Sequence, residues 1–362
     1  MKLQAGIALV CLSASTAYAG GIERTTQSAM ILYSEGNRVE LSYGYVKPSV
    51  SGTSRRLVAP IGNVAKDFSV PSFALKMDVD EKLAFALIYD TPFASDVEYP
   101  ANPMLGGTMA SSNTDTLTAL GKYQLTEQAS VFGGLRIQKA SGAITLKGLA
   151  YGPLSGYSVD LGEDTAVGYV LGAAYEIPDI AMRVALTYNS DIEHDFDTVE
   201  NLAPTVTSST KTKTPSSWNL EFQTGIAADT LLMGSIRYVK HSEFKVVPVV
   251  FGKFRPDGLV NLEDTTTYRL GVGRRFNDRL SGSIMVGYEK EGDPLVSPLA
   301  PSTGMTSLTL GVSYKISDQV ELGGGISRTW LGNATPQTAN LAQADFKDNS
   351  ATALGLKVTY SF

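Results

Sequence analysis

The chain ends Leu354-Gly355-Leu356-Lys357-Val358-Thr359-Tyr360-Ser361-Phe362. Successive side chains of an extended strand point to opposite faces. Leu354, Leu356, Val358, Tyr360 and Phe362 therefore share one face, and Gly355, Lys357, Thr359 and Ser361 the other. One face is wholly apolar and ends in an aromatic ring. The other is small or polar. In a soluble sandwich the apolar face would be core; in a membrane barrel it would meet lipid.

The same period of two recurs upstream. Leu308, Leu310, Val312 and Tyr314 alternate with Thr309, Gly311 and Ser313, and Leu280, Ile284, Val286 and Tyr288 alternate with Ser281, Ser283 and Gly287. Leu83, Phe85, Leu87 and Tyr89 repeat the pattern. Between such runs, short polar turns alternate with long loops rich in Gly, Pro, Ser and Thr. The short turns are Asp78-Val79-Asp80-Glu81, Thr126-Glu127, Pro178-Asp179, Ala228-Asp229, Asn277-Asp278 and Ser317-Asp318. The loops run over 48–66, 94–113, 141–163, 191–213, 241–264, 291–303 and 331–350. Short turns on one side and long loops on the other are the pattern of outer-membrane barrels, whose strand number is even. Aromatics close the strands at both ends: Tyr89, Tyr188, Tyr238, Tyr288 and Trp330 at the loop side, Tyr123, Tyr175, Phe276, Tyr314 and Phe362 at the turn side. Two girdles of this kind belong at the two membrane interfaces. The expectation is all-β, a transmembrane antiparallel β-barrel of about 14 strands. Glu40, Arg136, Arg183, Glu221, Arg237, Arg269, Glu321 and Lys357 alternate with apolar neighbours and should face the lumen. A charge on the lipid face at mid-bilayer would cost about 2–4 kcal/mol.

Composition agrees. Charged residues are 18% of the chain, below the soluble average of about 25%, yet no apolar run reaches the length of about 18 that a membrane helix needs. At the start, Lys2, the apolar run Ala5–Ala14 and Ala17-Tyr18-Ala19 read as a secretory signal over residues 1–19, with the mature chain beginning at Gly20. The single cysteine, Cys11, lies inside that signal, so thiolate metal sites and disulfides are not expected. The net charge of −6, without a basic cluster, makes nucleic acid an unexpected partner. No nucleophile elbow or dinucleotide motif appears; Gly271-Val272-Gly273 sits in a strand with no helix after it. His194 and His241 fall in outer loops, where His194 reads as a packing or hydrogen-bonding residue; the run Asp191, Glu193, Asp195, Asp197, Glu200 reads as a solvated loop rather than a site drawing divalent cations near lipopolysaccharide. Neither an enzymatic activity nor a cofactor is expected.

Several stretches resemble the FadL-type family of outer-membrane transporters. They are Val39-Glu40-Leu41-Ser42-Tyr43-Gly44-Tyr45-Val46-Lys47-Pro48-Ser49-Val50-Ser51-Gly52, Val70-Pro71-Ser72-Phe73 followed by Tyr89-Asp90-Thr91-Pro92-Phe93, Gly168–Glu176 followed by Tyr188–His194, and Thr214-Pro215-Ser216-Ser217-Trp218-Asn219-Leu220. Their order and spacing, rather than any single motif, carry the resemblance. It implies passive transport of long-chain fatty acids or other hydrophobic compounds, captured by outer loops and released sideways into the bilayer. The family's longer N-terminal hatch, with its Asn-Pro-Ala motif, is reduced here to residues 20–36, ahead of a barrel spanning 37–362.

Candidate site residues follow. The apolar loop segments Val246–Phe251 and Leu149–Leu154 offer Val249, Phe251, Tyr151 and Leu154 for capture, since exposed apolar patches mark ligand sites. The competing reading is that these loops are hairpins packed together above the membrane. Arg136, Arg183, Arg237 and Arg269 are candidates to pair with a carboxylate headgroup. Pro92, which has no N–H for the ladder, marks either a lateral opening or a strand end. Val358, Tyr360 and Phe362 look like the signal read by the barrel-assembly machinery. The expected surroundings are the bilayer and lipopolysaccharide of the bacterial outer membrane, and the expected state is a monomer. A general diffusion porin and a structural or adhesive barrel are the rival functions.

Overall fold

The computed structural model describes residues 22–362. The expected signal over residues 1–19 and Cys11 lie outside the described residues. Fourteen strands close into one antiparallel barrel. They are β1 (Arg38–Ser49), β2 (Phe68–Asp78), β3 (Leu83–Asp90), β4 (Met109–Gln124), β5 (Ala129–Leu146), β6 (Tyr157–Ile177), β7 (Met182–Asn189), β8 (Ser217–Ala227), β9 (Thr230–Val239), β10 (Thr265–Arg275), β11 (Leu280–Glu289), β12 (Thr303–Lys315), β13 (Val320–Gly332) and β14 (Ser350–Ser361). Each pairs with its sequence neighbours, and β1 closes on β14 with Val39 opposite Tyr360 and Tyr43 opposite Leu356. Across that seam Lys357 Nζ donates to Glu40 inside the lumen, at 3.1 Å. Pairing β1 with β14 leaves neither terminal strand with a free edge, which hydrocarbon would not tolerate because unpaired peptide groups cost several kcal/mol each there.

All six short turns fall where the sequence places them. The long loops differ. The barrel wall on one side continues far beyond the bilayer: β4 has 16 residues, β5 has 18 and β6 has 21, against about 9–11 for one crossing. The segments 94–113, 141–163 and 191–213 are therefore partly strand. Ile192–Glu200 and Thr207–Thr214 form a hairpin, and Thr198–Glu200 pairs with the top of β6. Polar alternation such as Thr207-Ser208-Ser209-Thr210-Lys211-Thr212-Lys213-Thr214 has no apolar face, so it reads as loop although its backbone is extended. The acidic run is correspondingly part of a strand: Lys213 Nζ donates to Asp191 at 2.8 Å and Lys211 Nζ to Glu193 at 3.4 Å.

The apolar alternate residues face outward around the barrel, among them Leu270, Ile284, Leu310, Ile326 and Leu354. Buried apolar side chains collect instead inside the lumen, around Leu32, Tyr33, Leu120, Phe132 and Val170, and in two larger clusters at the outer end. One cluster joins Val46, Ile61, Tyr99, Leu105, Met305 and Phe346. A second joins Ile144, Tyr157, Phe196, Val246, Phe251 and Leu299. The outer loops thus pack into a cap over one mouth. Inside the barrel, residues 22–36 descend toward the turn side before β1 begins, and carry one 3-10 turn, Met30–Tyr33.

Candidate functional site

The wall is broken at the top of β3. The β3–β4 ladder ends at Asp90 opposite Thr116 and resumes only with the short strand Ser95–Glu98, where Ser95 faces Ser112. On its other side β3 last meets β2 at Tyr89 opposite Phe73. Residues 68–72 of β2 consequently keep β1 as a neighbour but have no β3 partner. Above the gap the wall is rejoined by the Ala65–Val97 bridge and by Glu98 N donating to Val64 O at 2.8 Å.

The segment Thr91-Pro92-Phe93-Ala94 turns into the lumen, where the N-terminal segment receives it. Arg24 N donates to Pro92 O at 2.8 Å, Ala94 N donates to Ile22 O at 2.7 Å, and Glu23 bridges Phe93. Thr114 Oγ1 holds Phe93 from the wall, accepting its N–H at 3.0 Å and donating to its carbonyl at 2.6 Å. Pro92 lies in this break, two residues past the end of β3 at Asp90. The Arg24 guanidinium lies 3.6 Å over the ring of Phe68, at the edge of the gap.

The four arginines face the lumen in different states. Arg237 is buried and held from both sides: its Nε donates to Glu23, Nη1 to Asn219 Oδ1 at 2.6 Å, Ser217 Oγ at 3.1 Å and Thr26 O at 3.0 Å, and Nη2 to Gln27 Oε1 at 3.1 Å. Arg136 Nε donates to Thr118 at 3.0 Å, while its Nη1 is buried with no partner among the described residues. Arg183 pairs with Glu176 at 2.8 Å and donates to Tyr33 O at 3.0 Å. Arg269 lines a chamber of 740 Å³ together with Met30, Glu221, Gly287, Ser307 and Thr309. Small residues among its lining, Gly287, Ser307, Thr309 and Gly355, leave it room, and Thr26, Ser28 and Met30 of the N-terminal segment line it as well.

Two anchors hold that segment. At its tip Thr25 Oγ1 donates to Asp90, and Asn219 Nδ2 donates to Thr26 O at 2.8 Å. At its base the Tyr33 hydroxyl meets Ser130 Oγ at 2.9 Å, and its ring stands edge-on to Phe132 at 5.9 Å. Lys122 and Arg183 place their cations 4.9 and 4.8 Å from the same ring. Phe132 fits only because Gly172 lies beneath it; a Cβ there would stand 2.2 Å from its ring.

The outer loop candidates divide. Phe251 is 3% exposed, with its ring 4.8 Å from that of Tyr157. Glu200 fixes it there by accepting the N–H groups of Val250 and Phe251, both at 2.7 Å, and the Tyr157 hydroxyl at 2.9 Å. Val249 is 48% exposed. Tyr151 is half-buried between the two apolar clusters, and Leu154 packs on the second. Phe251 is therefore a cap anchor rather than open surface, and the exposed aromatic of this loop is Phe254, at 62%. Val358, Tyr360 and Phe362 face outward at the turn side, the last two rings 6.0 Å apart.

His194 is buried, with Nδ1 2.9 Å from Asp164 and Nε2 3.1 Å from Gln138; burial holds it below its ordinary value. His241, just above β9, is fully buried, and neither ring nitrogen has a partner among the described residues. Burial pushes its pKa down to about 4. Glu23, Thr25, Gln27, Tyr33, Glu200 and Phe254 were not legible as site residues. All but Phe254 act through partners distant in sequence, and Phe254 differs from Phe251 only in what the fold places over it.

The family model of the outer membrane protein transport proteins (OMPP1/FadL/TodX) matches residues 12–362. No curated protein sequence matches the chain. Among solved structures, a Pseudomonas aeruginosa FadL homologue is similar at a TM-score of 0.73 and 14% identity, covering 92% of each chain. The monoaromatic hydrocarbon channel CymD is similar at 0.60 and 16%, covering 95% of this chain and 94% of that one. The Ralstonia pickettii toluene transporter TbuX is similar at 0.63 and 13%, covering 91% and 90%. At these identities the likeness is one of fold.

Proposed function

This chain belongs to the OMPP1/FadL/TodX family of outer membrane transport proteins, and from that premise we propose that it admits long-chain fatty acids at the outer cap and releases them sideways through the break beside Pro92. It is an outer-membrane transport barrel, not an enzyme. The observation that carries the lateral route is the unpaired stretch 68–72 of β2 facing a segment that has left the wall. An alkyl chain crossing there gains about 0.8 kcal/mol per methylene on entering lipid, while the lumen below is narrowed by residues 22–36 and their hydrogen bonds. Capture falls to exposed apolar loop surface, Val249, Phe254 and Leu149. The bilayer, lipopolysaccharide around the outer rim, and the barrel-assembly machinery reading Val358, Tyr360 and Phe362 complete the proposed partners.

Proteins of similar fold include a monoaromatic hydrocarbon channel and a toluene transporter. The lumen of this chain favours an acid instead. Of the four inward arginines, Arg183 and Arg237 already hold Glu176 and Glu23, while Arg136 and Arg269 have no ion pair among the described residues, and a carboxylate pairs with guanidinium far better than a neutral ring does. Uptake of labelled palmitate and of toluene by cells expressing the protein, with sugar-driven swelling of reconstituted liposomes, tests the reading. Palmitate uptake above background without sugar permeation supports it. Toluene uptake alone would assign a neutral hydrocarbon, and sugar permeation a diffusion porin.

A further inference from the structure

The outer surface of β13, β14 and β1 carries two cations where lipid gives way to water. Arg328 stands between Ile326 and Trp330 on the outward face of β13, and Lys47 follows Tyr45 on that of β1; both are exposed. Thr352 of β14 lies between them in register, opposite Arg328 on one side and Lys47 on the other. Two strand spacings, about 10 Å, separate the two cations. The row beneath them is Ile326, Leu354 and Tyr45, part of the apolar belt. The row above holds Trp330 of the outer girdle, with Ser350 and Ser49.

Neither cation has an ion pair among the described residues. By contrast Lys139, Lys211, Lys213 and Lys240, elsewhere on the outer wall, hold Glu163, Glu193, Asp191 and Glu243. Arg328 is nonetheless fixed. Its Nη1 donates to Thr352 Oγ1 and its Nη2 to Ser350 Oγ, each at 2.7 Å. These bonds lift the guanidinium toward the level of Trp330, as long cationic side chains reach for an interface, and they use two of its five N–H donors. The other three are left for an acceptor outside the wall. Neutral hydroxyls do not cancel the charge, and at the edge of hydrocarbon an anion is attracted more strongly than in water. Phosphate suits the pair: guanidinium forks onto its oxygens, and the ammonium adds a second point charge. The long loops mark this end as the outer one, and the phosphate-bearing lipid of the outer leaflet is lipopolysaccharide.

We propose that Arg328, Lys47 and Thr352 bind the phosphates of a lipopolysaccharide molecule whose acyl chains descend over Ile326, Leu354 and Leu356. Gly324, one outward position below Ile326, presents no side chain between Val312 and Leu356, which leaves a shallow groove for a chain. β1 also flanks the unpaired stretch 68–72 of β2, so the bound lipid borders the gap in the wall. This gives the lipopolysaccharide contact of the outer rim a definite site, and it rests on that reading.

The test titrates the purified full-length barrel in detergent with diphosphoryl lipid A, dephosphorylated lipid A and phosphatidylglycerol, and reads bound lipid by native mass spectrometry. Wild type should prefer diphosphoryl lipid A to both of the others. Arg328→Gln combined with Lys47→Gln should weaken its binding at least about tenfold, the ratio expected for a lost charge-assisted contact. Lys211→Gln, which removes a lysine already paired with Glu193, should bind as wild type does. The comparison of lipid A with its dephosphorylated form needs no substitution, so it stands even if the double variant assembles poorly. Unchanged lipid A binding by the double variant, or an equal loss in Lys211→Gln, would overturn the site and leave lipopolysaccharide as a partner elsewhere on the rim. Phosphatidylglycerol bound as well as lipid A would overturn it in favour of any anionic lipid. Failure of wild type to bind lipid A would remove the site and the lipopolysaccharide reading together, while palmitate uptake, measured separately, would decide the transport reading.

Discussion

Two phenylalanines three positions apart in one outer loop have opposite tasks. Phe251 is packed against Tyr157 under the clamp of Glu200, while Phe254 projects into solvent. Phe251→Ala should destabilise the cap by about 3–5 kcal/mol, the usual cost of emptying a buried aromatic site, and Phe254→Ala should leave stability within about 0.5 kcal/mol. Urea unfolding in detergent measures the first. Palmitate uptake at matched surface levels measures the second, where Phe254→Asp combined with Val249→Asp should reduce capture. Equal stability of the two alanine variants would mean that the cap is not packed as described. The sequence marks 246–251 as one apolar segment but does not separate anchor from surface, because the separation depends on Glu200, some fifty positions away. His241 supplies a pH dependence at the same scale. Its folded pKa is depressed to about 4, against about 6.5 unfolded. Between those values the unfolded chain binds more protons, so stability is complete above pH 6.5 and is lost as pH falls toward 4. At about 1.4 kcal/mol per unit, the loss from this group approaches about 3 kcal/mol. The urea midpoint of wild type should therefore fall between pH 7 and pH 4.5 more than that of His241→Phe. Parallel profiles would remove His241 as the cause.

Among elements, the N-terminal segment is held by a single backbone bridge at Glu23–Phe93 and otherwise by side chains rather than by a continuous sheet ladder, which sets it apart from the wall around it. Its base anchor is Tyr33, whose ring receives Phe132, Lys122 and Arg183 together. Tyr33→Ala removes all three contacts and the hydroxyl bond to Ser130 without touching a strand pair. The expected outcome is a barrel of normal heat-modifiable mobility whose residues 28–36 lose exchange protection and whose single-channel conductance in planar bilayers rises. Unchanged conductance would show that the tip anchor alone keeps the segment in place. The period of two makes the membrane-crossing strands legible, because lipid demands an apolar residue at every second position. It fails for Thr207–Thr214 and for the upper parts of β5 and β6, where water replaces lipid and the demand lapses. The short segment before β1 is visible as a segment, but its contacts with Asp90, Ser217, Asn219, Glu221 and Arg237 cross up to some two hundred positions and leave no local trace.

For the whole molecule, the polarity of a soluble protein is reversed across the membrane. Apolar side chains such as Leu310, at 47% exposure, form the outer belt, while the wall they belong to is lined inside by groups such as Thr309 and Ser327, whose hydroxyls lie 2.8 Å apart. Adjacent positions in β12 therefore meet two different solvents, and the same substitution at each should have unequal effects. Leu310 lies near the middle of its strand, opposite Ile284 and Ile326 on the neighbouring strands. Arginine at that position must bring its guanidinium into hydrocarbon or bend it to an interface, at about 2–4 kcal/mol. Thr309 faces the 740 Å³ chamber, where arginine finds polar neighbours and room. Leu310→Arg should lower the urea midpoint in lipid vesicles and reduce the assembled fraction on gels, while Thr309→Arg should change either only slightly. Thr309→Arg should also narrow the chamber without weakening the belt, so that any loss of uptake it causes comes from the lumen. Equal destabilisation at the two positions would mean that the alternation has been assigned to the wrong faces, and with it the direction in which every arginine of the lumen points.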